Sequence, residues 1–341
     1  MKKQLLAIGK YGLFFGLGIF LVWWSLRQIP DENWGAFKTS LRNAQYLLII
    51  PVFLILSLSH LLRALRWQIL MEPMGYRPRL PNTFFAVMIG YLANLAIPRL
   101  GEVLKCTLLA RYEKVPAEKL VGTIVVERAV DVISLGIIFL LTMITQSDVV
   151  ADYGMQLFRQ LFENKNGDFS LTKIFIFAGI LLVLLLAIRV WFDRFAHLKV
   201  VIMAKKIIAG VWEGLISVRK LRRKGLFILY SAGIWTLYIV GTWVGLKATA
   251  GTTDLGMGIA LGALAFGSIG MIVTPGGIGA YAFFIAKFLE KNNIPFEIGL
   301  ANGTLQWFAQ FIIVLIVGSI ALLVLPIYNK EKQAHESHTG R

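Results

Sequence analysis

The sequence predicts an all-α polytopic membrane protein with six full transmembrane helices and two re-entrant helical hairpins arranged as an inverted repeat. Three observations carry this. Of 341 residues, 57% are hydrophobic and only 16% are charged, against roughly 25% charged in a soluble domain, so the chain has too little polar surface to cover itself in water. Several uncharged runs reach or approach the ~20 residues that cross a bilayer. Lysine and arginine are concentrated in alternate connections, as the positive-inside rule requires. A soluble enzyme, a nucleic-acid-binding domain and a disordered chain are excluded. The formal charge of +16 follows from topology and implies no nucleic-acid partner.

The first element spans about 10–29. Lys2, Lys3 and Lys10 precede an apolar run from Tyr11 to Leu26, as in a signal peptide, but Arg27-Gln-Ile-Pro30-Asp-Glu offers no small-residue cleavage site, so the run is read as a crossing. Further crossings are expected at 45–70, 120–145, 171–190, 226–249 and 298–326. Two apolar stretches differ. Residues 83–97 are interrupted by Pro98-Arg99-Leu-Gly101-Glu102 before a short arm to about Arg111. Residues 255–274 end at Pro275-Gly276-Gly277-Ile278-Gly279 before a short arm to about Lys287. A mid-membrane Pro/Gly break is tolerated only where protein or a wet cavity satisfies the freed backbone, so both are read as hairpins.

Charge counting fixes the orientation. With both termini cytoplasmic, the inside segments hold 22 Lys and Arg and the outside loops 5. Treating 83–111 as one unbroken span would put the ten basic residues of 189–225 outside. The count is the same for a hairpin and for two short full spans; short arms and buried charges favour the hairpin. Residues 1–329 therefore form one integral membrane domain, with a first repeat at about 10–145 and a second at about 171–326. Gly90 precedes Pro98 by the same interval as Gly267 precedes Pro275. Inverted repeats with interrupted helices in matching positions point to a transport site near the midplane.

Between the repeats lies a cytoplasmic linker, 191–225. Ile208, Val211, Trp212, Leu215 and Val218 fall at helical spacing before Arg219-Lys220-Leu-Arg222-Arg223-Lys224. This reads either as an amphipathic helix on the inner leaflet or as a solvated connector whose charges fix topology. Residues 330–341 form a short polar tail.

Charges at membrane depth cost roughly 2.5–3.5 kcal/mol each by insertion scales, so each needs a partner or a task. Arg63 and Arg66 share one face of a helix and can clamp a phosphate or snorkel to headgroups. Arg99 and Glu102 sit at the first hairpin tip, where Asn94 can satisfy the backbone opened by Pro98. Glu127 and Asp131 are four apart on one face, with Arg128 between them. They form either a salt-bridge lock, Arg128 to Asp131 or Glu127 to Arg99, or a proton-coupled relay. Gly276, Gly277 and Gly279 open the second arm of hairpin two, either to present N–H groups to an anion or to allow a tight turn. Cys106 and four scattered histidines give no metal-ligand spacing. No Walker loop, His-Glu-x-x-His or Gly-x-Ser-x-Gly motif occurs, so no cofactor, metal or ATP drive is expected.

Arg66-Trp67, the stretch Gly90-Tyr91 through Asn94 and Pro98-Arg99 to Glu102, Glu127-Arg128-Ala-Val-Asp131 and Pro275-Gly276-Gly277-Ile278-Gly279 together resemble the flippase-like transmembrane domain of lysylphosphatidylglycerol synthases and its stand-alone relatives. The resemblance covers about 10–326, with four motifs in order. It implies movement of a charged-headgroup lipid between leaflets. The family pattern often has an acidic residue soon after Pro-Gly-Gly-x-Gly, whereas Ala280-Tyr281-Ala282 follow here. About fifteen polar residues follow the last crossing in place of a soluble aminoacyl-transferase domain, so lysine transfer by this chain is not expected.

The leading expectation is a non-enzymatic lipid flippase-like transporter in the cell (inner) membrane, with anionic membrane lipids as partners. Arg63, Arg66, Asn94, Arg99 and the three glycines would bind substrate; Glu102, Glu127, Arg128 and Asp131 would balance charge or couple to protons. The alternatives are an intramembrane enzyme using one of those carboxylates as general base, and a non-transporting scaffold of a lipid or glycan synthesis complex. Gly12-x-x-x-Gly16 and Gly258-x-x-x-Gly262 permit close helix packing within one chain or in a homo-oligomer.

Overall fold

A computed structural model of the chain describes residues 16–97, 99–146 and 221–338, together with Ser170, Lys173, Gly179, Val218 and Arg219. The expected fourth crossing, apart from Lys173 and Gly179, and all but the end of the amphipathic linker lie outside the described residues. Among the described residues the chain is helical, without strands. The helices are α1 (Gly16–Arg27), α2 (Trp34–Arg42), α3 (Ile49–Met71), α4 (Leu80–Ala96), α5 (Leu100–Glu113), α6 (Ala117–Thr145), α7 (Lys224–Leu246), α8 (Met257–Val273), α9 (Ala280–Lys291) and α10 (Phe296–His338).

Tyr46–Met74, Lys224–Leu246 and Phe296–Lys330 are long and apolar enough to cross a membrane; Gly16–Arg27, Leu80–Leu95 and Met257–Val273 are apolar but shorter. Apolar side chains also cover the outside. Leu54, Ile144 and Leu323 are 63%, 71% and 67% exposed, an arrangement water would penalise and lipid accepts. The chain is a helical membrane protein.

Both proline breaks fall where expected, and for the same reason. The residue before a proline is pushed out of the helical region: Ile97 has φ −138° and ψ 115°, Thr274 φ −124° and ψ 153°. The second residue beyond each is left-handed, Arg99 at φ 69° and Gly276 at φ 61°. Glycine adopts that conformation freely and arginine rarely does. Each hairpin then closes tightly. A Cβ on Gly101 would overlap the Gly90 carbonyl oxygen, and one on Gly270 would lie 2.6 Å from the Tyr281 backbone.

Helix pairing repeats between the two halves. Helix α3 packs on α7; α4 packs on α5 and α10, while α8 packs on α9 and α6; α5 packs on α6, and α9 on α10. Positions repeat as well. Gly90 stands as far along α4 from its first residue, Leu80, as Gly267 stands along α8 from Met257. In the same way Lys105 of α5 matches Ile285 of α9, and Arg63 of α3 matches Tyr238 of α7, each counted from the start of its helix. The two glycines face those partners alike: a Cβ on Gly90 would lie 3.3 Å from Lys105 Cβ, and one on Gly267 3.3 Å from Ile285 Cδ1. The hairpin tips touch where Gly276 approaches Leu95.

Candidate functional site

The site is assembled by α3, α5 and α6. Arg63 and Arg66 are one turn apart on α3, and Glu127 and Asp131 one turn apart on α6, so the facing helices present two cations to two carboxylates. Arg63 Nη1 donates to Asp131 at 2.7 Å and to Glu127 at 3.2 Å, while Arg66 Nη2 donates to Asp131 at 2.8 Å and lies 3.6 Å from Glu127. From α5, Lys105 Nζ donates to the other Glu127 oxygen at 2.7 Å and sits over the Trp67 ring. All but Asp131 are buried, Arg66 completely. Three formal cations against two carboxylates leave one positive charge in a low-dielectric setting, where pairing alone does not neutralise the group.

This arrangement corrects the expected locks. Glu127 is bound by Lys105, Arg63 and Arg66 rather than by Arg99, and Asp131 by Arg63 and Arg66 rather than by Arg128. Arg128 instead pairs with Glu102 at 2.7 Å and remains half exposed. The physical reason lies in α5: its left-handed start at Arg99 turns the arm so that Gly101 and Lys105 face α4, bringing Lys105 under α6. Arg99 itself is exposed and makes no ion pair among the described residues. Asn94 accepts the Gly101 N–H at 2.8 Å, tying the two arms of the first hairpin together beside its break.

Beside the cluster lies a cavity of about 610 Å³ lined by both halves of the chain. Its charged lining among the described residues is Arg63, Arg128 and Asp131, with His60 beside them. Tyr238 accepts from Arg63 Nε at 3.2 Å, and the second terminal nitrogen of Arg63 makes no hydrogen bond among the described residues. Most of the remaining wall is apolar. Val132 on α6, Ile272 on α8 and Phe308 on α10 line the cavity yet are 61%, 75% and 47% exposed, so the hollow continues onto the outer, apolar surface of the bundle.

The three glycines of hairpin two are all left-handed, at φ 61°, 74° and 72°. Gly276 lines the cavity, but its carbonyl accepts from Trp307 Nε1 at 2.7 Å. Gly279 packs under α1, where a Cβ would lie 2.6 Å from the Gly18 carbonyl oxygen. Among the described residues no group of three or more His, Cys, Asp or Glu could hold a metal.

Lys105 escapes sequence reasoning, because the charge count places it in a cytoplasmic segment. The available signal is its position one turn after Gly101, on the face a glycine keeps close to α4. Gln306 and Gln310 of α10 escape it as well. They stand at the same distances from Phe296, the first residue of α10, as Glu127 and Asp131 stand from Ala117, the first residue of α6.

The model of the family described as the lysylphosphatidylglycerol synthase TM region matches residues 8–318. A UPF0104 membrane protein of Methanocaldococcus jannaschii is 23% identical over 295 residues, covering 83% of this chain and 85% of its own length. No solved structure matches.

Proposed function

Since the chain belongs to the family of the lysylphosphatidylglycerol synthase TM region, we propose that it is a flippase-like transporter moving an anionic, phosphate-bearing lipid or lipid-linked intermediate between leaflets. One observation carries this reading: a buried ion cluster with one unbalanced positive charge stands beside an apolar cavity that continues onto the lipid-facing surface. A phosphodiester carries one negative charge and would balance the cluster. A cavity of about 610 Å³ suits a headgroup, and the lateral opening past Val132, Ile272 and Phe308 lets the acyl chains remain in the bilayer.

In this reading the chain crosses the membrane six times, α4–α5 and α8–α9 enter from opposite faces as re-entrant hairpins, and the two halves are an inverted repeat. The paired helix contacts, equal positions along matching helices and touching tips support it. Both termini are cytoplasmic and the membrane is the cell membrane. Arg63, with Arg66 behind it, meets the phosphate. Asn94 holds the hairpin closed beside the cavity, and Glu102 with Arg128 forms the outer pair at its wall. Arg99, exposed and without an ion pair among the described residues at the tip beside the break, is read as the phosphate's first contact.

The test is leaflet exchange in proteoliposomes. The chain is expected to accelerate exchange of labelled anionic phospholipid, and Arg63→Gln to abolish the acceleration. No exchange of any anionic phospholipid or polyprenyl phosphate by the intact protein refutes the proposal.

A further inference from the structure

The two halves place different chemistry at matching positions. Where α6 carries the carboxylates Glu127 and Asp131, α10 carries the amides Gln306 and Gln310 at the same distances from the helix start. Where α5 carries Lys105, α9 carries Ile285, and where α3 carries Arg63, α7 carries Tyr238. Arg63 and Tyr238 bond each other, so the charged and neutral halves meet within one cavity.

The neutral half still offers hydrogen bonds. Gln310 donates to Tyr281 Oη at 2.9 Å, leaving its carbonyl without a bond among the described residues. Gln306 donates to Asn302 at 2.7 Å. Trp235 lines the cavity, and its buried indole N–H has no acceptor among the described residues. Amide carbonyls and an indole N–H complement hydroxyl groups, which donate and accept. They do not neutralise an ammonium, and the cavity's one carboxylate among the described residues, Asp131, is held by two arginines.

We infer that the cavity selects a lipid whose phosphate is its only headgroup charge, the rest being a neutral hydroxyl-bearing group, glycerol or a ring polyol, received by Gln306, Gln310, Tyr281 and Trp235. This rests on the transport reading above and adds the substrate class. An amine-bearing headgroup, including an aminoacylated one, would bury an ammonium without a free partner.

The experiment compares five fluorescent lipids with identical acyl chains in dioleoylphosphatidylcholine proteoliposomes: phosphatidylglycerol, phosphatidylinositol, phosphatidylserine, phosphatidylethanolamine and lysyl-phosphatidylglycerol. Phosphatidylserine matches phosphatidylglycerol in net charge but carries an ammonium and a carboxylate besides its phosphate, so it separates a phosphate-only headgroup from net charge alone. Native mass spectrometry of the purified chain with the same lipids reports binding independently. Phosphatidylglycerol or phosphatidylinositol should exceed every amine-bearing lipid by at least about tenfold, a difference of ~1.4 kcal/mol, and the ratio between those two separates glycerol from a ring polyol. Gln310→Glu, which restores a carboxylate, should shift the ratio toward phosphatidylserine; Gln306→Glu gives a second variant should the first not fold. Equal or faster exchange and binding of the amine-bearing lipids by the intact chain overturns the inference while leaving transport standing. Selective binding without exchange overturns transport and leaves the inference standing.

Discussion

Lys105→Met tests the cluster most sharply, because it removes one member of a close buried pair and changes the site's charge by one. At the observed 2.7 Å, the Lys105–Glu127 attraction is about 6 kcal/mol at an effective dielectric of about 20. Both partners pay desolvation, and truncating one side of a buried pair typically costs roughly 3–5 kcal/mol. Arg63 and Arg66 still reach Glu127, so the expected loss is at the lower end, about 3 kcal/mol. Lys105→Met with Glu127→Gln should recover at least about 2 kcal/mol of that, since the partner then needs no counter-charge. The charge arithmetic gives an independent readout. The single variant leaves two cations against two carboxylates, so exchange of anionic lipid should fall at least about tenfold, ~1.4 kcal/mol; the double variant restores the single excess positive charge and should regain most of it. Unfolding in detergent, followed by tryptophan fluorescence, measures stability, and proteoliposomes measure exchange. If the losses of Lys105→Met and Glu127→Gln measured alone sum to that of the double variant within about 0.5 kcal/mol, and exchange by Lys105→Met equals that of the intact chain, the pair is not coupled and net charge does not govern the site.

Other perturbations test the hairpins. Arg99→Gly should relieve backbone strain of about 1 kcal/mol and raise thermal stability while exchange drops; unchanged exchange would remove Arg99 from the transport path. Gly101→Ala forces a Cβ onto the Gly90 carbonyl, which no rotamer can relieve, and should cost about 3 kcal/mol or more. Gly122→Ala meets nothing within 4 Å and should be neutral or stabilise by up to ~1 kcal/mol, as read from the same unfolding curves. Cys106 is the chain's one cysteine, so a cysteine-free background needs one substitution. In it, Arg79→Cys and Lys114→Cys should react with an impermeant thiol reagent from the cytoplasmic side, and Arg99→Cys should resist it from the outside. Outside labelling of Arg99→Cys would mean two short spans.

The fate of individual residues separates what is legible from what is not. Prolines 98 and 275 announce both breaks because a proline restricts its predecessor locally, whatever the tertiary setting. Arg63, Arg66, Glu127 and Asp131 stand out because charge in an apolar run is expensive wherever the helix ends up. Their partnering is not legible: the sequence offers Arg99 to Glu127, yet Lys105 takes it, because the turn after Ile97 decides which face of α5 meets α6.

The sequence alone determined that this chain lives in lipid, where it breaks and which charges require compensation, since these follow from transfer energies and backbone sterics within a few residues. Tertiary structure decided which charges meet, that one positive charge is left over, and that Gln306 and Gln310 line the same cavity as Asp131. Those are long-range matters of packing, fixed only when helices distant in sequence settle their rotation against one another.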